Sequence, residues 1–189
     1  AADARKSKDR AFAGDLGAVD IAARYPALAS SIVLLQAASV DGFMRWKASR
    51  DPKKILAKPV IGQLVMKRLA PRRMPDWFGL AVGDQTKLEP FCRCAATTIE
   101  NGALWSLASA FQIYMDPTMD LPSPPQPILS IWGKKDGSHP PDNVESSKVF
   151  SDNLRYVAFD DLGHFSELED PRRVFDVING YLEAITGGG

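Results

Sequence analysis

Three short runs of consecutive apolar residues punctuate the chain: Ser31-Ile-Val-Leu-Leu-Gln36, Pro127-Ile-Leu-Ser-Ile-Trp132 and Leu154-Arg-Tyr-Val-Ala-Phe159. Runs of this length without polar alternation read as buried strands. A fourth, briefer strand is read at Ala11-Phe-Ala13, before a tight turn and a helix that ends near Pro26. Between the last two runs, Pro141 to Phe150 reads as a weakly amphipathic helix. After them, Asp170 and Pro171 signal a helix start. Val174, Phe175, Ile178, Tyr181, Leu182 and Ile185 then follow at helical spacing, as one apolar face covering a sheet. From Ser39 to Pro125 the spacing is helical and interrupted by prolines. Ile55, Val60, Leu64, Val65 and Leu69 suggest one or two helices broken at Pro59, and 92–98 and 104–114 suggest more.

Parallel strands joined by a helix carry their following loops on one edge of the sheet. That edge is where open α/β sheets place ligand sites. The run ending at Trp132 is followed by Gly133-Lys-Lys-Asp136-Gly137, and the run ending at Phe159 by Asp160-Asp-Leu-Gly163-His164-Phe165. Asp136 and His164 are therefore expected to meet. A carboxylate beside an imidazole fixes the ring's tautomer and stabilises the imidazolium formed when the other nitrogen takes a proton. The plainer alternative has Asp136 capping a turn and His164 as an ordinary loop residue. The second histidine, His139, lies in Gly-Ser-His-Pro-Pro and reads as a loop residue.

Ile131-Trp-Gly-Lys-Lys-Asp136, Gly163-His164-Phe165 and Leu168-Glu-Asp-Pro171, taken as a set, resemble the end of an α/β-hydrolase domain, in the branch with a helical cap that includes esterases, epoxide hydrolases and dehalogenases. The resemblance is strong over 127–185 and fair over 11–38. It implies an α/β fold class: part of an α/β-hydrolase core, a short, mostly parallel sheet with flanking helices, with an inserted helical cap. Ala13-x-Asp15-x-Gly17 fits the family's nucleophile elbow, whose tight turn demands small neighbours. Aspartate replaces the usual serine, as in the epoxide hydrolase and haloalkane dehalogenase branch, where a carboxylate attacks carbon and the ester formed is hydrolysed by His-activated water. Asp15 read without the family is a helix N-cap, and the two readings are compatible. Asp41, after the 31–36 run, is a weaker candidate than Asp136 for the acid.

The resemblance divides the chain into a first core segment (1–38), a cap insert (39–125) and a second core segment carrying the Asp and His loops (126–189). Leu121-Pro-Ser-Pro-Pro-Gln-Pro127 is a rigid linker back to the core. The first part of the insert is rich in cations, including Arg45, Lys47, Arg50, Lys67, Arg68, Arg72 and Arg73, and reads as a solvated helical face or as a lid that attracts anions. Trp46, Trp77, Phe78, Phe91, Trp105, Phe111 and Tyr114 supply its core and could line an apolar substrate pocket.

Composition narrows this picture. Formal net charge is zero over 189 residues, which gives no reason to expect nucleic acid as a partner. No apolar run is long enough to span a bilayer, so no integral membrane segment is expected. The polar, mixed-charge residues 1–10 lack a targeting pattern, and Cys92 and Cys94, two apart, read as free thiols of a reducing compartment. A cytoplasmic location follows as the expectation. No phosphate loop and no spaced metal-ligand motif appears, so no cofactor and no metal are expected. The expected activity is hydrolysis of a small ester, epoxide or related apolar substrate. The family's earlier strands, one of whose loops supplies half of the oxyanion hole, have no counterpart. A sheet of four such strands exposes an edge suited to a second copy or a complementing N-terminal half. A non-catalytic or truncated homologue, binding a ligand or needing a partner chain, is the alternative.

Overall fold

The computed structural model describes residues 14–109, 111–112 and 121–187. The strand read at 11–13 lies outside them. Three strands, β1 (Ile32–Leu35), β2 (Ile128–Gly133) and β3 (Leu154–Phe159), form one parallel sheet in the order β1-β2-β3. Ile32 stands opposite Ile128 and Leu35 opposite Ile131, while Ile128 pairs with Leu154 and Gly133 with Phe159.

All six residues of β2 are buried, which explains its unbroken apolar character: both sheet faces are covered. On one face Ile32, Leu34 and Ile128 pack with Leu16, Val19 and Ala22 of α1 (Gly14–Arg24) and with Phe150. On the other, Leu129 and Ile131 pack with Phe159, Leu162 and, from the terminal helix, Val174 and Tyr181. Each fully buried aliphatic side chain here contributes about 1.5–3 kcal/mol. Ser130, the one polar residue of β2, pairs its hydroxyl with that of Ser147 at 2.8 Å.

The β2–β3 connection departs from the sequence reading. Instead of an α-helix over 141–150 there are two 3₁₀ turns, Pro141–Asn143 and Ser146–Phe150, separated by Glu145 at φ 103°. A left-handed residue in the middle of the segment interrupts any continuing helix.

The middle of the chain is helical: α2 (Val40–Arg50), α3 (Ile61–Ala81), α4 (Leu88–Glu100) and α5 (Leu104–Ser109). Ser39 caps α2, its Oγ accepting from the Gly42 amide. Helix α3 begins just after Pro59 and continues through Pro71 and Pro75, both on its exposed side. Each proline removes one amide donor from the helix, at positions on its exposed side. The short α6 (Ser166–Glu169) leads to α7 (Pro171–Thr186), whose Asp170 cap accepts from the Arg173 amide. Phe175 and Leu182, assigned to the covered face by spacing, are instead exposed, and Val177 packs against the core in their place.

Candidate active site

Asp136 and His164 meet at the sheet edge where β2 and β3 end. His164 Nδ1 lies 2.9 Å from Asp136 Oδ2. The Asp136 side chain is wholly buried, while His164 keeps 23% of its side chain accessible. The acid is sealed from water, yet the base remains reachable.

Asp136 is held from several directions. The Ser138 amide and hydroxyl donate to Oδ1 at 2.8 and 2.6 Å. Gln36 Nε2 donates to Oδ2 at 2.9 Å. Gln36, in the left-handed region at φ 55° just after β1, also bridges both backbone groups of Gly133: its Oε1 accepts from the amide and its Nε2 donates to the carbonyl. Burial by itself would raise the Asp136 pKa. The hydrogen bonds with His139, His164 and Ser138, with the attraction of His164, overcome it and hold the carboxyl well below the usual carboxylate range.

His139, read from sequence as a loop residue, is part of this cluster. Its Nδ1 also lies 2.9 Å from Asp136 Oδ2. Its ring is stacked on that of His164, with centroids 5.1 Å apart and planes 6° from parallel. The opposite neighbour is Trp46, stacked at 5.8 Å. Trp46 Nε1 donates to the Ser138 carbonyl at 3.2 Å, and Arg50 donates to the same oxygen. The available signal was spacing: His139 lies three residues after Asp136, within one turn. A metal-ligand cluster was not expected from sequence, but Asp136, His139 and His164 present ligand atoms within 4.8 Å of one another.

His164 is positioned through its own backbone and that of Gly163. The His164 amide donates to the Ala81 carbonyl at 2.7 Å, at the end of α3. Glu169, 2% exposed, accepts from the amides of Gly83, Asp84 and Gly163 at 3.0, 2.9 and 3.1 Å. Gly163 is required here, since a β-carbon would lie 2.1 Å from the Ala81 carbonyl oxygen. This clamp brings the end of α3 over the histidine. Trp77 meets His164 edge-on at 5.7 Å, and Trp77, Phe78 and Phe91 surround Phe165. Aromatics of the 39–125 stretch thus flank both histidines, Trp46 on one side and Trp77 on the other. Trp105 is exposed, and Tyr114 lies outside the described residues.

Asp15 lies within α1, in its first turn, rather than at a cap position preceding it. Burial raises its carboxyl pKa; His164 and His139 oppose that through attraction, while Glu167 adds to it. The carboxyl therefore lies within electrostatic reach of both imidazoles. Asp41 sits in the first turn of α2, and Cys92 and Cys94 on α4 are free.

No model of a known protein family matches the chain, and no curated protein matches it in sequence. Solved structures do match it. A thermophilic esterase from Thermogutta terrifontis with malate bound aligns with a TM-score of 0.66 at 18% identity, over 93% of this chain and 63% of that one. Another thermophilic esterase gives 0.61 at 16% identity, over 93% and 65%. A haloalkane dehalogenase loop variant from Bradyrhizobium elkanii gives 0.58 at 15%, over 92% and 65%. The chain therefore has the α/β-hydrolase fold, over somewhat less than two thirds of the length of these structures. Likeness at such identities defines an architecture, which hosts many chemistries.

Proposed function

We propose that this chain carries the active site of a hydrolase acting on a small ester, epoxide or related apolar substrate. The observation that carries the reading is the hydrogen bond between a sealed, ionised Asp136 and an accessible His164, with Asp15 within electrostatic reach of that histidine. Asp136 holds the His164 proton on Nδ1, which leaves Nε2 as the acceptor. Asp15 is the nucleophile. Its carboxylate forms a bond to the substrate carbon as the carbon–oxygen bond to the leaving group breaks, giving an enzyme ester from an epoxide and a mixed anhydride, with release of the alcohol, from the acyl carbon of an ester. Water then loses a proton to His164 Nε2 and attacks the carbonyl of that intermediate, which regenerates the Asp15 carboxylate and frees the diol from an epoxide or the acid from an ester. Trp46 and Trp77, from an inserted helical cap over 39–125, shape an apolar surface beside the histidines.

The test is turnover of a panel of short-chain activated esters and epoxides. His164→Ala is expected to lower kcat by at least about a thousandfold, as loss of general-base and ester-hydrolysis roles together requires. Asp15→Asn is expected to abolish turnover and ester formation alike. Unchanged rates in both variants would end the reading.

A second reading rests on the sheet. Among the described residues β1 pairs with β2 alone, and the matched structures are longer than this chain. In that reading the chain is a non-catalytic homologue, or one that completes its sheet with a second copy or a complementing N-terminal half. His164-dependent turnover by the isolated chain would exclude it.

A further inference from the structure

We propose that Asp136, His139 and His164 form a binding site for a divalent transition-metal ion such as Zn²⁺, and that the ion switches the hydrolase site off. The inhibitory consequence rests on the function proposed above; the binding itself does not.

Two imidazoles and a carboxylate are a ligand set that suits zinc and its neighbours in the first transition row. Both Nδ1 atoms face one oxygen, Asp136 Oδ2, each at 2.9 Å. Ligand atoms on one tetrahedral zinc ion, bonded at about 2.0–2.1 Å, stand about 3.3 Å apart. Each nitrogen–oxygen separation thus opens by about 0.4 Å, while the three ligand atoms, within 4.8 Å of one another, draw in to that same spacing. The outer support that orients metal ligands is already in place. Ser138 and Gln36 hold the carboxylate, and Trp46 stacks on His139. Part of each imidazole is accessible, 11% of the His139 side chain and 23% of that of His164, which leaves a side for solvent or a fourth ligand.

Coordination through Nδ1 uses the lone pair that in the metal-free site is occupied by hydrogen. A ring bound through Nδ1 carries its proton on Nε2. His164 then has no free lone pair at Nε2 and cannot take a proton from water. One ion bound there therefore removes the base. The paired histidines explain what a single acid–base pair does not need: a second imidazole on the same carboxylate oxygen.

Isothermal titration of the chain with Zn²⁺, without substrate, tests this. One ion per chain is expected, bound at least tenfold more weakly by His139→Ala and with unchanged affinity by the double variant Cys92→Ser, Cys94→Ser. Co²⁺ provides a second measurement on the unaltered chain: visible d–d absorption without the near-ultraviolet charge-transfer band of a thiolate. No saturable binding up to millimolar metal would overturn the proposal. So would undiminished affinity in His139→Ala, or binding that disappears with the two thiols. Turnover measured with and without chelator is read separately. Turnover that zinc leaves unchanged at saturation would overturn the switch. Absence of turnover in chelator would sink the hydrolase reading, while zinc titration would still decide the metal site.

Discussion

At the scale of single residues, Asp136 and Asp15 are two carboxylates driven apart by their surroundings. Asp136 is a buried acceptor surrounded by donors, and its pKa is depressed; Asp15 is raised by burial. The consequences for stability have opposite signs. A depressed folded-state pKa stabilises the fold above the unfolded-state value, about 3.9 for aspartate, and that contribution is lost as pH falls towards the folded-state value. A raised one favours the protonated fold, and that advantage is lost as pH rises through the folded-state value. Asp136→Asn is therefore expected to cost about 1–3 kcal/mol at neutral pH, the range for leaving buried donors without their acceptor, and to flatten the stability profile below about pH 4. Asp15→Asn is expected to leave neutral-pH stability unchanged or higher while removing function. Urea denaturation across pH 3–8 reads both. A stability loss in Asp15→Asn as large as that in Asp136→Asn would show Asp15 to be structural.

Residue chemistry was legible only in part. Asp136 and His164 could be paired because each follows an apolar run and a glycine. Gln36 and Glu169 could not: Gln36 reaches Asp136 and Gly133 from a stretch about a hundred residues away, Glu169 acts through the amides of Gly83, Asp84 and Gly163, and nothing in their local sequence marks either. His139 was passed over for a different reason: Gly-Ser-His-Pro-Pro has the composition of any turn.

At the scale of elements, strands were easier to read than connections. β2 is buried on both faces and β1 and β3 are partly covered, and runs as apolar as these show no polar alternation to misread. The 141–150 segment reads as a helix because its few apolar residues fit a helical spacing, while the left-handed Glu145 in its middle excludes a continuous one. α3 hides its importance in the same way. Its apolar positions are largely exposed, among them Ile61, Leu64 and Leu69, so its sequence shows no clean core stripe. Its register is set instead at its end, by Glu169. Glu169→Gln keeps the shape of the side chain but removes its charge and aims a donor at amides that need an acceptor. A loss of about 2–3 kcal/mol is expected, with kcat falling because the His164 loop is no longer fixed. Thermal melts and turnover of the same variant check this. A destabilised protein with the parent's kcat would uncouple the clamp from the site.

At the scale of the whole molecule, the sheet ends at β1 on one side and β3 on the other, and among the described residues each of these strands pairs with β2 alone. A strand border with unpaired amides and carbonyls invites another strand. If residues 11–13 do not fill it, the chain is expected to self-associate, which sedimentation equilibrium over a hundredfold concentration range would measure; a single monomeric mass throughout would show the border covered.

The packing of Gly133, Gly163 and the backbone of Ala81 to Gly83 has a consequence for motion. A β-carbon on Gly133 would fall 2.0 Å from the Gly163 carbonyl oxygen, and one on Gly83 2.6 Å from the Gly163 nitrogen. Main chains in such contact, with no side chains between them to change rotamer, leave no soft layer across which to slide. The end of α3 and the histidine loop must therefore open and close as one cooperative unit. Breathing of the aromatic roof at Trp77 and displacement of the general base are then a single event on a single timescale. A substrate admitted by lifting α3 at this end would find the base displaced, so productive access has to come from a side that leaves this junction shut.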